Sequence, residues 1–90
     1  MLTSDELCEC AKAVSTREGF VDFVEMLSRD YVSNRDEWQN DTLDQFLLGL
    51  SGFASDMGGC YKNMGEAVDV EKITWRIAAE MLIAATVYEG

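Results

Sequence analysis

Two groupings in the chain have residue types and spacing that could do chemistry. One is the thiol pair Cys8-Glu9-Cys10. The other is the polar run Asn34-Arg35-Asp36-Glu37-Trp38-Gln39-Asn40-Asp41, with Asp44 one turn on. The thiol pair looks like half of a metal motif. On a helix, however, its sulfurs lie about 200° apart around the axis and cannot hold one ion. A closed zinc site would also need further ligands, and the chain offers only Cys60 and no histidine. In the polar run, Asp36, Asp41 and Asp44 could be read as calcium ligands. They lack the central glycine and the terminal bidentate glutamate of a calcium loop. Catalysis fares no better. Without histidine no side chain has an ordinary pKa near neutrality, so acid–base work would need a strongly shifted carboxylate or lysine. Ser15, Ser28, Ser51 and Ser55 have no imidazole to activate them. Gly58-Gly59 is not followed by the Lys-Ser/Thr of a phosphate loop. No catalytic, cofactor-binding or metal-binding residue is assigned, no cofactor is implied, and the expectation is a protein that is not an enzyme.

Binding is the chemistry that remains. Seven Lys and Arg stand against seventeen Asp and Glu, a formal net charge of −10. Such a surface repels nucleic acid and anionic membrane and attracts a basic protein. The densest acid lies at Asp36, Glu37, Asp41 and Asp44, around Trp38, and these five residues are the candidate partner-binding positions. Trp38 has two readings: an exposed anchor for a partner, or a ring folded down onto the core, which the usual burial of aromatic rings favours. The carboxylates divide in the same way between partner contact and a plain solvated face. Glu66, Asp69 and Glu71 make a second, sparser acidic run.

Four helical segments must position these residues. Thr3-Ser4-Asp5-Glu6 has the pattern of a capping box. It is followed by a weak apolar stripe, Leu7, Cys10, Ala11 and Val14, which predicts a loosely packed helix to about Val14. Ser15-Thr16-Arg17-Glu18 reads as a second capping box with Ser15 as the start. Phe20, Phe23, Val24, Leu27 and Tyr31 then follow at steps of three and four, which make one apolar face. The third segment is expected to start at Asn40 or Asp41. It runs along Leu43, Phe46, Leu47, Leu50, Phe53, Ala54 and Met57 and stops at Gly58-Gly59. Gly49 and Gly52 on that helix suggest close approach of a neighbour. A loop follows, with a turn at Asn63-Met64-Gly65 and room for a short hairpin pairing Cys60–Tyr61 with Val68–Val70. The last segment, from Thr74 to Tyr88, is apolar nearly all round, so it is either central or covered by a second subunit. Phe23, Leu27, Phe46, Leu50, Trp75 and Leu82 are expected in one buried cluster.

Composition agrees with a folded domain. Ninety residues make one domain, residues 1–90, and 48% of them are hydrophobic, too many for a disordered chain despite the charge. Proline is absent, so nothing interrupts long helices. No apolar run reaches transmembrane length. The acidic N-terminus lacks the basic start and apolar core of a signal peptide. With an odd number of cysteines, the expected compartment is the cytoplasm.

Three blocks also carry a resemblance: Thr16-Arg17-Glu18-Gly19-Phe20-Val21-Asp22-Phe23; Glu37-Trp38-Gln39-Asn40-Asp41-Thr42-Leu43-Asp44-Gln45-Phe46-Leu47; and Trp75-Arg76-Ile77-Ala78-Ala79-Glu80-Met81-Leu82, running into Ala84-Ala85 and Tyr88-Glu89. Their order and spacing resemble a family of small bacterial proteins catalogued as a domain of unknown function. The likeness covers about residues 15–89, leaving 1–14 as an N-terminal extension helix. It departs at Glu66–Glu71, where relatives often carry proline. The resemblance implies a small, acidic, cytosolic bacterial protein and transfers no catalytic residues. The overall expectation is a compact all-α domain of four helices with one longer loop before the last. Its expected function is that of a non-catalytic acidic protein-binding domain, in concrete form an immunity-type inhibitor of a basic toxin. The alternative is a homo-oligomeric structural or adaptor protein that pairs through the Trp75–Tyr88 helix.

Overall fold

The computed structural model describes residues 3–89. It has four α-helices: α1 (Ser4–Ala13), α2 (Arg17–Asn34), α3 (Leu43–Asn63) and α4 (Trp75–Ala85), with a single 3-10 turn at Arg35–Glu37 after α2. The domain is all-α, and no strand occurs among the described residues.

Every helix starts at a threonine. Thr3 closes a capping box with Glu6: its hydroxyl accepts from the Glu6 amide while the Glu6 carboxylate accepts from the Thr3 amide. Thr74 caps α4 by accepting from the Ile77 amide at 3.1 Å. The other two starts differ from the sequence reading. Thr16, not Ser15, caps α2, with its hydroxyl 3.0 Å from the Gly19 amide. Thr42, rather than Asn40 or Asp41, caps α3 through the Gln45 amide. The reason at α3 is that Asn40 is engaged elsewhere, on the end of α4.

The stop of α3 differs too. Gly58-Gly59 lies inside the helix, which continues to Asn63. Met57 and Tyr61 remain on its buried stripe, and their packing outweighs the roughly 1 kcal/mol that each glycine costs. The true stop is Gly65, the one residue with positive φ (76°) among those described. The Gly65 amide bonds to the Lys62 carbonyl and the Glu66 amide to the Tyr61 carbonyl, which is the Schellman pattern. Past it, Val68 and Val70 pack on the core as irregular chain, not as a hairpin.

Helix α4 is the hub. Helices α1, α2 and α3 all pack on it, whereas the Cα atoms of α2 and α3 stay more than 8 Å apart among the described residues. The expected single cluster is therefore two, on either side of α4. Ala11 of α1 and Val14, just past its end, join Phe23 and Leu27 of α2 and Ala79 of α4 in one. Phe53, Met57 and Tyr61 of α3 join Ile77 of α4 in the other. Of the six predicted core residues, Phe23 and Leu27 are buried, while Phe46, Leu50 and Leu82 are half-buried. Trp75 is 43% exposed and lies against Phe20, with ring centroids 5.4 Å apart. Helix α1 is firmer than its weak stripe predicts, since Leu7, Ala11 and Val14 are all buried.

Candidate functional site

Because α2 and α3 each rest on α4 with their backbones apart, a groove of about 420 Å³ lies between them. Leu27 and Leu82 line its depth. Val24, Ser28 and Tyr31 come from α2, Leu43 and Phe46 from α3, and Trp38, Asn40, Asp41 and Thr42 from the connecting segment.

That connecting segment is held in place at four points. The Trp38 indole N–H donates to the Asp30 carboxylate at 2.9 Å. Its ring meets the edge of Tyr31 at 5.0 Å and stacks on Phe46 at 6.0 Å. The Tyr31 hydroxyl donates to the Asp41 carbonyl at 2.6 Å, and the Arg35 guanidinium lies over the Tyr31 ring and 3.6 Å from the Asp41 carboxylate. Asn40 makes the longest reach. Its side-chain amide donates to the carbonyls of Ala85 (2.8 Å) and Tyr88 (3.0 Å), and its backbone amide donates to the Thr86 carbonyl (2.9 Å). Ala85 and Thr86 close α4, where the end of a helix leaves carbonyls unpaired, and Tyr88 lies just beyond. Gly49 makes the approach possible: a Cβ there would sit 2.6 Å from both the Ala85 carbonyl oxygen and the Asn40 amide nitrogen.

The five predicted partner-binding residues divide. Trp38 and Asp41 line the groove. Asp44 follows the groove residues Thr42 and Leu43 in the first turn of α3 and accepts from the Thr42 hydroxyl at 2.8 Å. Asp36 is exposed on the 3-10 turn and lines no groove wall. Glu37 belongs to a smaller cleft on the other side of Trp38, beside Ser4, Leu7 and Cys8 of α1. Trp38 itself is half-buried, so it both packs and lines the groove. Val24, Tyr31, Leu43 and Phe46 are the site residues that the sequence reading placed in the core. The signal lay in the width of the α2 and α3 stripes, which carry more apolar positions than one shared neighbour can cover.

A second polar cluster lies behind α4. The Tyr61 hydroxyl donates to the Glu80 carboxylate at 3.1 Å, and Arg76 pairs with Glu66 at 3.0 Å and Glu80 at 3.8 Å. Burial, with Glu80 beside it, raises the Tyr61 pKa well above its ordinary value. Partial desolvation and nearby Asp5 likewise push the Cys8 thiol up. That favours the protonated form over the reactive thiolate. Among the described residues no group of three or more Cys, Asp or Glu is placed to hold a metal ion, and no helix is long and apolar enough to cross a membrane. The groove hydroxyls of Ser28, Tyr31 and Thr42 have no lysine amine among the residues lining it with them. The groove is lined mainly by apolar side chains, with Ser28, Tyr31, Asn40, Asp41 and Thr42 as its polar groups.

Residues 16–89 match the model of DUF7660, a family of unknown function. The chain belongs to this family. No curated protein matches it, and no solved structure does. The DUF7660 match opens at Thr16, the cap of α2, and closes just past Tyr88. It therefore spans both partners of the Asn40 clamp and the whole groove, while α1 lies outside it.

Proposed function

We propose that this DUF7660 protein is a non-catalytic binding domain for a basic protein, and that the groove between α2 and α3 is where the partner docks. One observation carries the reading: an apolar groove lined in part by Asp41, with Asp44 next in sequence to its wall residue Leu43, on a chain of net charge −10. Leu43 at its wall is 75% exposed and Leu47, one turn on, is 52% exposed. Apolar surface of this kind beside acid marks an interaction site. Acidic rims accelerate encounter with a basic partner, and apolar anchors then slow its departure. A concrete form is an immunity-type inhibitor that neutralises a basic toxin in the cytoplasm of a bacterium.

The test is association kinetics, at two salt concentrations, with basic proteins encoded beside this chain's gene. Replacing Asp36, Glu37 and Asp44 with Lys should slow association at low salt and flatten its salt dependence. Folding should change little, because exposed charges contribute little to stability. Unchanged kinetics would move the contact to the second acidic run, Glu66, Asp69 and Glu71.

A further inference from the structure

We infer that the element seated in the groove is an amphipathic helix of another protein, with aliphatic residues three and four apart and Lys or Arg along its flanks. The inference rests on the proposed binding of a basic partner and adds the form of what is bound. The two long walls, α2 and α3, are helices whose backbone N–H and C=O groups are already paired along their length, and only the connecting segment Trp38–Thr42 is non-helical. An extended segment laid between them would lose water from its own backbone and find no ladder to join. A helix arrives with its backbone satisfied and needs only side-chain contact. The groove offers that contact. Val24, Leu27, Leu43, Phe46 and Leu82 all line it, so a third helix could seat aliphatic side chains between α2 and α3.

Charge selects the flanks. Asp41 stands at the groove's end, Asp44 follows Leu43, and Glu25 follows Val24. Arg35 pairs with Asp41 at 3.6 Å and Arg29 with Glu25 at 3.8 Å, so neither arginine is free to repel a basic helix, while Asp44, held by the Thr42 hydroxyl, and the net charge of −10 supply the attraction. A second copy of this chain would bring another ten net negative charges against the same edge. A basic helix meets no such repulsion.

The probe is a synthetic helical peptide of about 15 residues, roughly 22 Å long at the helical rise. It carries Leu at i, i+3, i+4 and i+7 with Lys on the flanks. A second peptide keeps the Leu pattern and replaces Lys with Glu. Each is titrated into the full chain while the Trp38 indole N–H is followed by NMR. The Lys peptide should bind, shift that resonance and bind about tenfold or more tighter than the Glu peptide. Leu43→Asp adds negative charge yet removes an apolar wall, at a position exposed enough to leave folding intact. It should weaken the Lys peptide about tenfold. Lys-peptide binding that falls with salt but ignores Leu43→Asp would overturn the groove as the seat while leaving acidic binding standing. Equal affinity for both peptides would overturn the basic flanks. Failure of both peptides, with a basic protein still binding, would overturn the helix and keep the partner. A dimer abolished by Leu43→Asp would give the groove to a second copy.

Discussion

Asn40 shows how one side chain can set both a fold and a site. Its amide joins the segment before α3 to the end of α4, and in doing so it fixes where Trp38 and Asp41 stand. Asn40→Ala would leave the Ala85 and Tyr88 carbonyls without that donor, so it should cost about 1–3 kcal/mol in urea unfolding. Gly49→Ala should cost a similar amount for a different reason, since its methyl would press on a backbone oxygen that cannot rotate away. Sequence reasoning identified Gly49 as a point of close approach but assigned Asn40 to a helix start. The misassignment has a physical origin: an Asn before an apolar run has the same pattern whether its side chain turns inward to its own helix or across to another. Tyr88 makes a prediction in pH. Its hydroxyl donates to the Asp56 carboxylate, and that bond holds its pKa up at about 12 against an ordinary value of 10.0. A raised pKa means that the stabilisation is complete below about pH 10 and fades as pH rises through about 12. Tyr61, bonded to Glu80, shifts in the same direction. Tyr88→Phe should therefore shallow, without abolishing, the alkaline fall of the melting temperature. An identical alkaline limb in the variant would show that the Asp56 bond contributes nothing in solution.

Among the elements, α1 is the one whose weight was least visible in the sequence. Its stripe is short and built partly of alanine and cysteine, which predicts weak packing. The structure buries Leu7 and packs Ala11 and Val14 against Phe23 and Leu27 of α2 and Ala79 of α4. The alanines let the helices come close, and hydrophobic pattern alone does not register that. Although α1 precedes the family match, removing residues 1–14 should expose Ala79 and Ile83 of α4 and lower the melting temperature sharply. Leu7→Ala alone should cost about 2–5 kcal/mol. The four helices and their order were legible, because a hydroxyl cap opens each one and strong stripes mark α2, α3 and α4. The starts of α2 and α3 were legible only to within a few residues, since Ser15 beside Thr16, and Asn40 and Asp41 beside Thr42, are all competent caps. Thr16→Ala should cost about 1 kcal/mol, and Ser15→Ala should stay within about 0.5 kcal/mol of the parent. Thermal unfolding of the pair decides between the two starts. The groove was not legible, because whether two amphipathic helices meet or stand apart depends on the third helix beneath them.

At the scale of the whole molecule, charge and connectivity dominate. Five ion pairs join described residues, three of them between neighbours on one helix, and most involve solvent-exposed side chains. Such pairs offset little, so the excess of ten negative charges should act as general self-repulsion. Raising salt from low ionic strength to about 0.5 M should therefore raise the melting temperature. A fall instead would mean that the local pairs outweigh the net charge. Connectivity has its own effect through α4, the last of the four described helices and the one on which α1, α2 and α3 all pack. During synthesis the ribosome releases those three before their common partner exists. Until α4 emerges, Phe23, Phe53 and Met57 have no Ala79 or Ile77 to close over them, and a nascent chain in that state is a natural client for holding chaperones. A fragment ending at Ile73 should show helical circular dichroism without a cooperative melt, and nascent chains should acquire protease resistance only once Trp75–Ala85 has emerged from the ribosome.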